Sequence, residues 1–317
     1  MESLIEVKNL KKYFFRPNGI VHAVDDVSFT IERGKTLGVV GESGCGKSTL
    51  GRTIICLQKA TSGQVLLDGE DISNVQGKDL RQVRSRMQII FQDPYSSLNP
   101  RQKVITTVKE PIARSGRFKN RKELLDETIR VMDLVGIDKR FRQSYPHELD
   151  GGRRQRVGIA RALALNPDFI CCDEPVSALD VSIQAQVLNL LMDLQEQFGM
   201  AYMFVTHDLS VVRHISDDIC VMYLGQLVEK ASTKELFESN LHPYTKALLS
   251  AIPSVDIYKP MRRVQLKGEI TSAINPEPGC RFAARCPYAI PACKEPQKLE
   301  EIRPGHFVSC CRAKDIN

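Results

Sequence analysis

The chain has 317 residues, about two domains' worth, with 42% hydrophobic and 26% charged, the proportions of an ordinary folded protein with a full core. That excludes a disordered tail, a collagenous chain and an integral membrane protein, because no run nears the ~18 apolar residues of a spanning helix. The net charge is only +6, and residues 253–317, with 11 Lys and Arg against 7 Asp and Glu, hold most of it, so no concentrated basic stripe points to nucleic acid.

The start, Met1-Glu2-Ser3-Leu4-Ile5-Glu6, lacks the basic-then-apolar pattern of a secretion signal, and the expected location is the cytoplasm. Extended segments are expected over 5–10, over 24–31 after the turn-like Arg16-Pro17-Asn18-Gly19, and over 36–40. The pattern turns helical from Lys47, with short strands over 64–67 and 87–91. From Pro100 to about Leu165 the chain is helical and charged, and 121–135 carry apolar residues at helical spacing. Three short β-rich runs follow, at 169–172, 202–205 and 219–223, separated by helical stretches such as 183–198. Strand and helix in alternation imply an α/β fold with a parallel sheet covered on both faces. Pro253, Pro260, Pro276 and Pro278 mark a linker into a Cys-rich end. The expected division is therefore 1–252, with a helical insertion at about 93–165, and a small extension at 253–317.

Gly41-Glu42-Ser43-Gly44-Cys45-Gly46-Lys47-Ser48, followed by Thr49, fits the pattern G-x-x-x-x-G-K-[ST] and stands after an apolar strand at the opening of a helix. Backbone N–H groups of such a loop wrap phosphates, the lysine reaches the outer phosphates and the serine hydroxyl ligates Mg2+. A phosphate cradle needs a further magnesium-holding group. The apolar run ending in Asp173-Glu174 supplies one, with Asp173 on Mg2+ and Glu174 polarising the attacking water.

With these motifs in this order, the chain resembles the ATP-binding subunits of ABC transporters, a P-loop ATPase core with an inserted helical subdomain. The resemblance implies ATP and Mg2+ as ligands and assigns further roles. Tyr13 falls where the family stacks an aromatic ring on adenine. Gln92, in Phe91-Gln92-Asp93-Pro94, matches the loop glutamine that touches Mg2+ and the membrane subunit. Ser177-Ala178-Leu179-Asp180 matches the loop after the second carboxylate, and His207 matches the switch histidine that senses the γ-phosphate. Leu149-Asp150-Gly151-Gly152-Arg153 lies where the family carries its signature, which completes the ATP site of a partner subunit. Serine is usual where Asp150 stands and glutamine where Arg153 stands. An ionised Asp150 at ~4 Å from a γ-phosphate implies repulsion of ~4 kcal/mol at an effective dielectric near 20; the other reading is a helix cap.

Leu241-His242-Pro243-Tyr244-Thr245-Lys246, the run Asp173 to Ser182 and the Cys-rich end resemble the oligopeptide and dipeptide importer branch. That implies work beside a different ATPase subunit, two membrane-spanning permease subunits and an external peptide-binding protein, on the cytoplasmic face of the membrane. Two other classes stay in view: a soluble ABC ATPase acting on nucleic acid or ribosomes with a zinc module, and a regulatory ATPase that does not transport. The chain has one cassette and no sustained heptads, unlike many of the soluble kind.

Five of the ten cysteines fall in the last 38 residues, a clustering that favours metal over disulfides in a chain without a secretion signal. Cys280, Cys286, Cys293 and Cys310 are widely spaced, with Arg281 and Arg285 beside two of them to favour the thiolate. The spacing suits a [4Fe-4S] cluster better than the close pairs of a zinc site, and the branch resemblance points the same way. Zinc remains the alternative metal, reduced unligated cysteines in a small packed tail the alternative to any metal, and Cys311 the alternative fourth ligand.

Overall fold

The computed structural model describes residues 3–252, 264, 266, 268 and 272–317; Pro253 and Pro260 of the expected linker lie outside them. The chain folds into two compact units, one made of Ser3–Ile31, Thr36–Ser73 and Phe204–Asn317, the other centred on Asn74–Met203 with Glu32–Lys35. The division is discontinuous and differs from the expected boundary at 252. The described part of the C-terminal extension belongs with the N-terminal strands rather than standing alone.

In the first unit, β1 (Ser3–Arg16) and β2 (Gly19–Glu32) are longer than the apolar runs that announce them. Leu4, Ile5, Val7 and Leu10 of β1 are buried; Ile5 and Val7 share one face of the strand, and a shift of register between Lys8 and Lys11 interrupts the alternation before Leu10. β3 (Thr36–Val40) is buried at every position, as in a sheet covered on both faces. It runs into the glycine-rich loop and α1 (Lys47–Ile54). β4 (Ser62–Leu67) and β5 (Glu70–Asp71) complete a sheet of order β2-β1-β4-β5, in which Ile5 faces Leu67 across an antiparallel pair.

The second unit opens with α2 (Gly77–Arg86), β6 (Met87–Ile90) and α3 (Pro94–Ser97). The expected helical insertion is α4 (Val104–Ser115), α5 (Arg121–Leu134) and α6 (Gly151–Leu163). Val104, Val108, Ile112, Val131, Met132 and Val157 are fully buried, so the helices pack by the apolar stripes that the periodicity marks. β7 (Phe169–Asp173) lies parallel to β6, with Ile90 opposite Cys172, and α7 (Val181–Phe198) follows. The chain crosses back to the first unit within β8 (Ala201–Thr206).

There α8 (Leu209–Ile215) leads to β9 (Asp218–Tyr223), parallel to β3 with Cys220 opposite Val39. β10 (Gln226–Ser232) folds back antiparallel on β9, and α9 (Thr233–Glu238) and α10 (Pro243–Ser250) follow. The tail adds β11 (Glu300–Arg303) and β12 (His306–Val308), giving the order β11-β12-β10-β9-β3-β8. The extension is thus stitched to the sheet edge: Val308 pairs with Glu229 and the Ser309 N–H donates to the Val228 carbonyl at 2.9 Å.

Candidate functional site

The loop from Gly41 to Ser48 joins the end of β3 to α1 and has the backbone that its glycines permit. Gly46 sits at φ 109°, where a Cβ would stand 1.9 Å from the Ala23 carbonyl oxygen; at Gly41, φ 153°, it would stand 2.1 Å from that of Met222. No side chain fits either place without moving backbone. Lys47 is buried, and its Nζ donates to the carbonyls of Gly41 at 2.8 Å and Glu42 at 3.0 Å. The ammonium is therefore held inside the curl of its own loop, aimed where phosphate oxygens are received. Ser43 and Gly44 are exposed, Ser48 and Thr49 half-buried, and Cys45 is buried with its thiol pushed up by desolvation. The Cys45 carbonyl accepts from the Gly225 N–H at 2.8 Å, pinning the loop to the turn after β9.

Tyr13, on β1, lies face to face with the His22 ring at 4.1 Å between centroids. Its hydroxyl donates to Asp25, which also receives the Arg281 guanidinium and lies 3.2 Å from His22 Nδ1. Burial and the Asp25 carboxylate raise the Tyr13 pKa, so the phenol stays neutral and donates. His207 follows β8 and is exposed, next to Asp208, whose side chain accepts from the Ser210 N–H to cap α8.

The carboxylates belong to the other unit. Asp173 ends β7 and is 1% exposed. Glu174 takes φ 48°, in the left-handed region that a non-glycine residue rarely adopts and that clusters at working sites. Gln92 Nε2 donates to Glu174 Oε2 at 3.0 Å. Asp150 caps α6: its carboxylate accepts from the Arg153 N–H at 2.7 Å and pairs with the Arg153 guanidinium at 2.7 Å. Of the two readings of Asp150, the cap is the one drawn in the geometry. Gly151 and Gly152 form the first turn, and a Cβ on Gly152 would lie 2.5 Å from the Ile183 side chain.

The Cys-rich end departs from expectation. Cys280, Cys286, Cys293, Cys310 and Cys311 share one neighbourhood, with Cys293 and Cys311 thiols 3.9 Å apart. Yet among the described residues no group of three or more His, Cys, Asp or Glu side chains is arranged to hold a metal ion. The expected basic neighbours do not serve the thiols: Arg281 turns to Asp25 and Arg285 to Glu42. Burial pushes Cys280 up to about 12 and raises Cys286 and Cys310 too. The four-cysteine [4Fe-4S] expectation is therefore not supported, and with Cys293 the contact falls to Cys311 rather than Cys310.

Residues 24–177 match the family described as ABC transporter, and residues 228–293 match the oligopeptide/dipeptide transporter C-terminal region. The chain is 51% identical to the oligopeptide transport ATP-binding protein AppF of Bacillus subtilis (strain 168), over 98% of this chain and 97% of that protein. The chain belongs to the ABC transporter family. This ABC protein is also 49% identical to OppF of the same organism, another oligopeptide transport ATP-binding protein, over 99% of this chain and 98% of that one. Among solved structures, the ATP-binding cassette MJ0796, a dimer bound to ADP and Pi, superposes with a TM-score of 0.67 at 30% identity, covering 72% of this chain and 98% of that one. CbiO1 from Clostridium perfringens, part of the ABC transporter complex cbiONQ, gives 0.67 at 26%, covering 76% and 93%. As an ABC ATPase, the protein hydrolyses ATP in a reaction coupled to transport. Among its described residues no helix is long and apolar enough to cross a membrane.

Three residues around the loop escaped the sequence reading as site residues: Asp25, Tyr244 and Arg285. Tyr244 was visible only inside a branch-marking motif and Arg285 only as a neighbour of Cys286; Asp25 carried no signal.

Proposed function

We propose that this protein is the ATP-hydrolysing subunit of an importer of oligopeptides or dipeptides. The observation that carries the reading is 51% identity to an oligopeptide transport ATP-binding protein over nearly the full length of both chains, joined by the importer-type C-terminal match. On this reading Lys47 and the Gly41–Ser48 backbone take the phosphates, and the Tyr13 ring takes adenine. Mg2+ supplies charge neutralisation on the phosphates when bound. Ser48, Asp173 and Gln92 present the hydroxyl, carboxylate and amide oxygens that this hard cation prefers, and they are the residues that would hold it. Glu174 accepts a proton from the attacking water, with Gln92 fixing its carboxylate. His207 contacts the γ-phosphate, and the Asp150-Gly151-Gly152 turn serves the site of a second ATPase subunit.

The partners in this proposal are a different ATPase subunit, two membrane-spanning permeases on whose cytoplasmic face the protein docks, and, indirectly, an external peptide-binding protein. Reconstitution of the chain with its permeases tests this. Peptide with its binding protein is expected to stimulate ATP hydrolysis and drive labelled peptide into the compartment, and Lys47→Ala is expected to abolish both. Hydrolysis stimulated by RNA or ribosomes and indifferent to peptide would overturn the reading.

A further inference from the structure

The phosphate loop carries an acidic residue, Glu42, whose charge opposes the anion that the loop receives. In the same unit the C-terminal extension meets this charge. Arg285, 9% exposed, holds both Glu42 oxygens in a fork, Nη1 to Oε2 at 2.8 Å and Nη2 to Oε1 at 3.1 Å. Such bidentate pairs are strong and fix direction as well as distance. The Glu42 N–H donates to the Tyr244 hydroxyl at 2.9 Å, so side chain and backbone of one loop residue are both gripped from the C-terminal half.

The grip is itself built rigidly. Arg285 Nη1 lies 3.4 Å from the Tyr223 hydroxyl. Tyr223 packs edge-on to Tyr244 at 4.7 Å and to the buried Phe282 at 5.3 Å. Phe282 and Arg285 belong to one tight turn, closed by the Arg285 N–H donating to the Phe282 carbonyl at 3.0 Å. Gly279, at φ 97°, stands just ahead of that turn, where a Cβ would lie 2.5 Å from the Lys294 carbonyl oxygen.

We propose that Arg285 is a positioning residue of the nucleotide site: it neutralises Glu42 and turns its carboxylate away from the phosphates, making the importer-type extension part of the ATP site. The proposal deepens the ATP-binding reading and rests on it. Without Arg285, Glu42 would be an unpaired anion on the loop, free to swing toward the ligand.

The test is MgATP affinity and thermal midpoint of the full chain in four variants. Arg285→Gln is expected to weaken binding about tenfold at low salt, with the gap narrowing as ionic strength rises. Arg285→Lys, which keeps the charge but loses the fork that aims the carboxylate, is expected to lose part of that affinity, falling between wild type and Arg285→Gln. Adding Glu42→Gln to Arg285→Gln removes the repelling charge and restores affinity to within about threefold. A merely structural arginine would show a lowered midpoint with no such rescue. Binding by Arg285→Gln within about twofold of wild type, or a double variant as weak as the single, would overturn the proposal. Lys47→Ala separates the two levels. Loss of binding there with normal Arg285→Gln sinks this inference alone, whereas unchanged binding by Lys47→Ala sinks the ATP-site reading and this inference with it.

Discussion

The Gln92 amide donates to the Glu174 carboxylate at 3.0 Å, tying the loop after β6 to the residue after β7. That hydrogen bond holds the base in one rotamer. Replacing Gln92 with Ala is therefore expected to lower kcat roughly tenfold while changing the KM for ATP much less. Steady-state kinetics on the assembled transporter checks this; a loss confined to KM would mean that the contact serves binding.

The Asp150 cap makes a separate claim. Asp150→Ala is expected to cost about 1 kcal/mol of stability, and Asp150→Ser or Asp150→Asn much less, because those side chains still accept from the Arg153 N–H. Urea unfolding of the three variants measures it. A stable Asp150→Ala with raised ATP turnover would give the residue to electrostatic repulsion instead.

Gly46 tests the loop backbone. Gly46→Ala drives a Cβ into the Ala23 carbonyl oxygen and strains φ 109°, so MgATP binding is expected to fall at least about tenfold, far more than a surface Gly→Ala change would cause. Wild-type affinity in that variant would show that the loop reshapes freely.

A pH dependence comes from His242, buried before α10. Its Nδ1 accepts from the Tyr244 N–H at 3.1 Å, which only the unprotonated ring can do. Burial lowers its pKa from 6.5 to about 4, with the Glu229 carboxylate opposing in part. The unfolded chain therefore binds a proton that the folded chain refuses between those values. Stability is full above pH about 6.5 and declines as pH falls toward about 4, by about 3 kcal/mol in all from this group. His242→Asn keeps an acceptor for the cap without the titration. Its urea stability is expected to decline less than wild type between pH 6.5 and pH 4; parallel declines would contradict the assignment.

What was legible in the sequence depended on whether the chemistry is local. The Gly41–Ser48 loop is eight consecutive residues whose glycines state their backbone need, and the strand ending in Asp173-Glu174 is equally contiguous. β10 to β12 were not legible: they are short, with polar and apolar residues mixed, and β12 pairs with residues some eighty positions earlier. The arginines of the Cys-rich end misled for the same reason. Beside Cys280 and Cys286 in the chain, they read as promoters of thiolate. In the fold Arg285 reaches a carboxylate 243 residues away, a pairing that no local pattern encodes. Nor did composition foretell the left-handed backbone of Glu174, which the surrounding structure imposes.

The measurement that bears most directly on the account is ATP turnover by Glu174→Gln in the assembled transporter. The substitution keeps the size of the side chain and an oxygen for the Gln92 amide, and removes only the base. Turnover is expected to fall at least about 100-fold, with ATP bound and retained rather than released. Near-normal turnover by that variant would contradict the account, because the proton of the attacking water would then have gone elsewhere.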